Sequence, residues 1–152
     1  MIKILLILSF LFIFVFGGCK ADKRLFAPES FKANAVIDCS NSKYEGFMSY
    51  DNSGSLRFRI TSPDELSDVT VAVTNDEIKL SCGGVESELV NNECEFVLKD
   101  ILSGLMYVRD NPPVISFADK MFTVNGSKYI LSADCSRITE IRNEKISCIF
   151  TY

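Results

Sequence analysis

A chain of 152 residues with 47% hydrophobic and 24% charged side chains is the size of one domain able to build its own core. Its 16 basic and 20 acidic side chains leave a net charge of −4, and the cations are mostly scattered singly, which excludes the clustered footprint that nucleic acid requires. Histidine is absent, which removes Ser-His and Cys-His dyads and the usual zinc-water sites. No phosphate loop or carboxylate metal cluster is recognisable, so no enzymatic activity, metal or bound cofactor is expected.

The first segment has the layout of an export signal: Lys3, an apolar run over residues 4–16 in which Ser9 is the one polar residue, then Gly17, Gly18 and Cys19. A helix needs roughly 20 apolar residues to cross a hydrocarbon core, so this run reads as a signal and not as a membrane span. The end of the run, "FIFVFGGC", resembles the lipobox of bacterial lipoproteins, with Phe16 where leucine is usual. That resemblance implies cleavage before Cys19 and a diacylglycerol on its sulfur. The other reading is a plain signal peptide or a short uncleaved anchor. Residues 1–18 are thus expected to be a signal peptide and 19–30 a lipidated tether. In "KADKR", residues 20–24, each cation would either add about 1 kcal/mol of attraction to an anionic leaflet or belong to a solvated tether.

Five cysteines follow Cys19: Cys39, Cys82, Cys94, Cys135 and Cys148. An odd number cannot all pair within one exported chain. None has the two-residue spacing of a zinc knuckle or redox dithiol, and most fall on the apolar side of predicted strands. Buried thiols are expected, with one disulfide as the alternative.

From residue 25, "LFAPESFKA" reads as the end of the tether, and alternation begins after it. "NAVIDCS" places Ala35, Ile37 and Cys39 on one face. "SLRFRIT" places Leu56, Phe58 and Ile60 opposite Arg57 and Arg59. "DVTVAVT" aligns Val69, Val71 and Val73, and "EIKLSC" aligns Ile78, Leu80 and Cys82. Period two with one polar face predicts an antiparallel sheet packed on one side and wet on the other. "DNSGS" at residue 51 and "TNDE" at residue 74 are hairpin turns. "YEGFMSY", with Phe47 opposite Tyr44, Met48 and Tyr50, is expected to be covered on both sides.

"SPDEL", residues 62–66, predicts a single helical turn, with Ser62 as cap, Pro63 first and Glu65 closing a capping box. The long helical pattern is "NECEFVLKDILSGLMYVRD", capped by Asn92. Its Cys94, Val97, Leu98, Ile101, Leu102, Leu105 and Val108 recur at three- and four-residue steps and should lie on the sheet. Pro112 and Pro113 end it. Strands then resume in "VISFADK", "MFTVNGSKYILSADC", "RITEIR" and "KISCIFTY", with turns at Asn125-Gly126 and Asn143-Glu144. Tyr129, Leu131, Ala133 and Cys135 are expected on one face, and Ile146, Cys148, Phe150 and Tyr152 on another. The sum is about five strands, one helix and four strands.

The run "RFRITSPDELSDVTVAVTNDEIKLSCGG" and the ending "KYILSADCSRITEIRNEKISCIFTY" resemble the LolA/LolB-like lipoprotein-handling family, from about residue 31 to the end. The resemblance rests on pattern and element order and carries no functional residue across. It implies a mainly β fold with one main helix: a strongly curved antiparallel sheet, an incomplete barrel with a covering helix, over residues 31–152. It also implies an apolar ligand, lipid or acyl chain, held between sheet and helix. Independently, one helix cannot cover nine strands of a curved sheet, which would leave Leu56, Phe58, Ile60, Val69 and Val71, with Leu98 and Leu102 from the helix, lining a hollow. The other reading of these residues is simple core.

The expected protein is therefore a membrane-anchored lipoprotein on the extracytoplasmic face of the cell membrane, attached through Cys19, that binds or hands on an apolar ligand. An envelope scaffold or interaction module without a small-molecule ligand is the alternative.

Overall fold

The computed structural model describes residues 23–40, 42–88 and 93–152. Among these, the elements before the helix are β1 (Lys23–Leu25), β2 (Phe31–Cys39), β3 (Ser42–Asp51), β4 (Ser55–Ser62), β5 (Thr70–Thr74), β6 (Ile78–Cys82) and β7 (Val85–Glu88). Helix α1 (Glu93–Asp110) follows, then β8 (Val114–Ser116), β9 (Met121–Val124), β10 (Ser127–Leu131), β11 (Ile138–Arg142) and β12 (Ile146–Thr151).

Ten of these strands form one antiparallel sheet in the order β7-β6-β5-β4-β3-β2-β12-β11-β10-β9, not closed into a barrel. Two meanders, β2 to β7 and β9 to β12, are joined where the last strand pairs with β2, Ile37 opposite Cys148 and Ala35 opposite Phe150. The alternation read from the sequence sets the faces. Ala33, Ala35, Ile37 and Cys39 are buried, as are Leu56, Phe58 and Ile60, while Lys32, Asn34, Asp38, Arg57 and Arg59 point to water. Because register partners share a face, Phe58 stands between Met48 and Val71, and Leu56 between Tyr50 and Val73. The mainly β, one-helix class is thereby observed.

The apolar stripe of α1 lies on that inner face. Cys94, Val97, Leu98, Ile101, Leu102, Leu105 and Val108 are all buried and belong to the same core cluster as the strand residues. At Gly104 the helix backbone comes so close to β10 that a Cβ would overlap the Tyr129 hydroxyl. The last turn is tied to the β3–β4 turn by the Arg109 guanidinium, whose Nη1 donates to the Asn52 carbonyl at 2.6 Å. The Asn92 cap lies outside the described residues.

Several expectations are corrected. Residues 23–30, read as tether, belong to the packed structure: β1 pairs antiparallel with β8 in a small separate sheet, and Phe26 and Pro28 are buried. The local cause is aromatic: Phe26 packs on Phe122 with ring centroids 5.5 Å apart, which holds the expected tether down. Strand β7 was not anticipated. Gly83 and Gly84 both adopt positive φ and turn β6 back into it as a hairpin. β1 and β7 are additional to the five strands expected before the helix, and after it "MFTVNGSKYILSADC" supplies both β9 and β10, so five strands follow the helix and not four.

Ser62 caps nothing. It ends β4, and the turn that follows is a 3-10 turn, Asp64–Leu66, with no side-chain cap. Strand β3 is one-sided: Tyr44, Met48 and Tyr50 are buried and Phe47 is out, its ring under the Arg59 guanidinium at 5.0 Å. Cys82 shares the parity of Ile78 and Leu80 but sits at the strand end and is exposed, while Cys39, Cys94, Cys135 and Cys148 are buried thiols as expected. Ala133 is exposed because β10 ends at Leu131 and the chain leaves the sheet. Tyr152, past the end of β12, is only partly covered.

Candidate functional site

Of the residues expected to line a hollow, Leu56, Phe58, Ile60, Val71, Leu98 and Leu102 are buried in the packed core and Val69 is half-buried against it. The structure does bring strand and helix members together, but into contact with each other. Cys19 lies outside the described residues.

A cleft lies elsewhere, where the segment after β1 meets the β10–β11 turn and Tyr152. It has a volume of about 480 Å³, and Phe26, Phe31, Lys32, Arg137, Ile138 and Tyr152 are among its lining residues. Phe31 is the hinge of its aromatic wall, edge-on to Phe150 at 5.4 Å and to Tyr152 at 5.9 Å between centroids. The Tyr152 hydroxyl donates to the Ile138 carbonyl at 2.8 Å, and the Arg137 guanidinium lies over its ring at 4.9 Å. Burial pushes the Tyr152 hydroxyl up to about 12, against the opposing pull of Arg137.

The other wall is a turn built by side chains. Asp134 accepts from the Ser136 amide at 3.1 Å and from the Ser136 hydroxyl at 2.7 Å, and the Ser132 hydroxyl also donates to it. These donors hold its carboxyl well below the usual carboxylate range. Cys135, at the turn's centre, has positive φ and is buried. Arg24 of β1 donates to the Cys135 carbonyl and, at 3.3 Å, to the Asp134 carbonyl, so the first strand is fastened to the cleft's wall.

Chemically this cleft offers an aromatic surface with the cations of Lys32 and Arg137 and the carboxylate of Glu29 among its lining residues. Its groups suit a ligand with an apolar body and a polar end. Among the described residues no group of three or more Cys, Asp or Glu side chains converges to hold a metal ion.

Alternation could not find this place. Its residues come from opposite ends of the chain, and Phe26 and Phe31 stood in a segment read as tether. The signal available was two phenylalanines in what should have been a polar linker. No protein-family model matches the chain, and no curated protein matches it.

Proposed function

We propose that this chain is a bacterial lipoprotein, anchored by a diacylglycerol on Cys19 at the extracytoplasmic face of the cell membrane, whose domain acts as an interaction module of the cell envelope through its outer surfaces. The observation that carries the choice of module over carrier is the filling of the inner face: Leu56, Phe58, Val73, Leu98 and Leu105 are each 0% exposed. Space that an acyl chain would need between sheet and helix is taken by side chains.

The same packing supports a curved sheet. Ten strands at about 4.8 Å spacing would make a flat sheet over 40 Å wide, whereas an 18-residue helix is about 27 Å long and about 10 Å across. Inner residues from β2 to β11 are nevertheless buried with that helix, so the sheet wraps around it. Such curvature supports the incomplete barrel with a covering helix that the LolA/LolB-like resemblance implies.

Binding of a lipid or other apolar ligand is a second reading, supported at a different place. The 480 Å³ cleft falls within the usual range of small-molecule sites and joins an aromatic wall to Lys32 and Arg137. One experiment on cells expressing the full chain separates the readings. Labelled palmitate should enter the wild type and not Cys19→Ser, and in-cell crosslinking should return one recurring protein partner. Stoichiometric lipid in solvent extracts, with no recurring partner, would overturn the module in favour of the ligand-binding reading. Label retained by Cys19→Ser would overturn the anchor.

A further inference from the structure

The small β1–β8 sheet is two-faced. Ile115 is buried among core residues, and Arg24, its register partner, turns to the protein, where it lies over the Phe117 ring at 5.1 Å and donates to the Cys135 and Asp134 carbonyls. The ladder is extended by the Phe26 amide donating to the Pro113 carbonyl at 3.0 Å. By alternation the outward face carries Lys23, Leu25, Val114 and Ser116. Leu25 is 66% exposed and its register partner Val114 64%. Two adjacent bare aliphatics on a ribbon clamped to the domain are not explained by folding, because the ribbon's inner face already holds it in place.

We infer that this outward face is seated on an anionic phospholipid leaflet. The inference rests on the lipid-anchor reading of Cys19. Cys19 is four residues before Lys23, and four residues fully extended reach no more than about 14 Å. An anchor there holds the ribbon within that distance of the bilayer, closer than any partner protein needs to come. The face has the matching chemistry: Leu25 and Val114 to enter the acyl boundary and Lys23 to meet phosphate. Such a combination of apolar side chains and cations favours interfacial binding. The seat also adds orientation, which a flexible two-chain anchor by itself does not give. The cleft beside Arg137 and the exposed outer face of the sheet would then be presented at a fixed angle to the membrane.

The test uses the full chain in cells that lipidate it, with photoreactive benzoylphenylalanine in place of Val114, in a second variant of Leu25, and in a control of Asn75, an exposed residue in the β5–β6 turn next to the sheet's opposite side. All three sites are exposed, so the core is untouched. After irradiation, intact mass should show phospholipid adducts several-fold more abundant at positions 114 and 25 than at 75. Equal lipid adducts at all three positions, or protein adducts in place of lipid at 114 and 25, overturn the seat. Labelled palmitate is followed in the same cells. Label without an adduct excess overturns the seat and leaves the anchor standing. An adduct excess without label supports the seat and overturns the anchor.

Discussion

Gly104 shows how a single missing methyl group sets the distance between two elements. An exposed helical glycine would cost about 1 kcal/mol relative to alanine, so propensity alone favours replacing it. Here a Cβ would run into the buried Tyr129 hydroxyl, on a ring stacked on Phe122 at 4.9 Å and unable to swing aside. Gly104→Ala is expected to destabilise by about 1–3 kcal/mol, the cost of overpacking, and Tyr129→Phe should restore most of it. Urea unfolding of both single variants and the double variant measures the coupling, and strictly additive effects would refute the contact. Cys148 makes a second case at this scale. Burial pushes its thiol up to about 12, from an ordinary value near 9. Between those values the unfolded chain releases a proton that the folded chain retains. Stability from this group is therefore intact below about pH 9 and falls by roughly 1.4 kcal/mol per pH unit above it. Unfolding free energies measured from pH 8 to 11 should fall less steeply for Cys148→Ala than for the wild type.

Helix α1 is stabilised by one stripe, and its exposed side is dispensable. Leu102 lies in the core, so Leu102→Ala removes transfer energy and leaves a cavity, an expected loss of about 2–5 kcal/mol. Tyr107 is 45% exposed and its replacement by alanine should fall within about 0.5 kcal/mol of the wild type. Thermal unfolding of the two variants checks the difference, and equal losses would mean that the helix is not seated as described. The stripe is legible in sequence because a period of 3.6 is a local property. The strand faces are legible for the same reason, from Ala35 and Ile37 to Cys148 and Phe150. Cys82 and Ala133 were misplaced because parity tells which side a residue takes but not how far the cover extends. Ala133 lies beyond the end of its strand, and Cys82 stands at the rim.

At the level of the whole molecule, the last strand is in the middle. β12 lies between β2 and β11, so the two meanders are one sheet only through residues that are final in the chain. Deleting residues 146–152 removes two ladders together with buried Cys148 and Phe150. That loss should exceed the net stability of a domain, about 5–15 kcal/mol, and abolish the cooperative transition seen by circular dichroism. Survival of a cooperative fold would show the meanders to be independent. Alternation, helix period and turn chemistry were enough to determine an antiparallel, one-helix domain with a polar outer face and buried thiols, since each is written in neighbouring residues. Which strands became neighbours, that the helix fills the inner face, that Phe26 and β1 belong to the domain, and that Phe31, Arg137 and Tyr152 share a cleft were decided only in three dimensions. The pairings of β1 and β12 and the cleft depend on contacts between residues about 90 to 120 positions apart, whose geometry no local pattern carries.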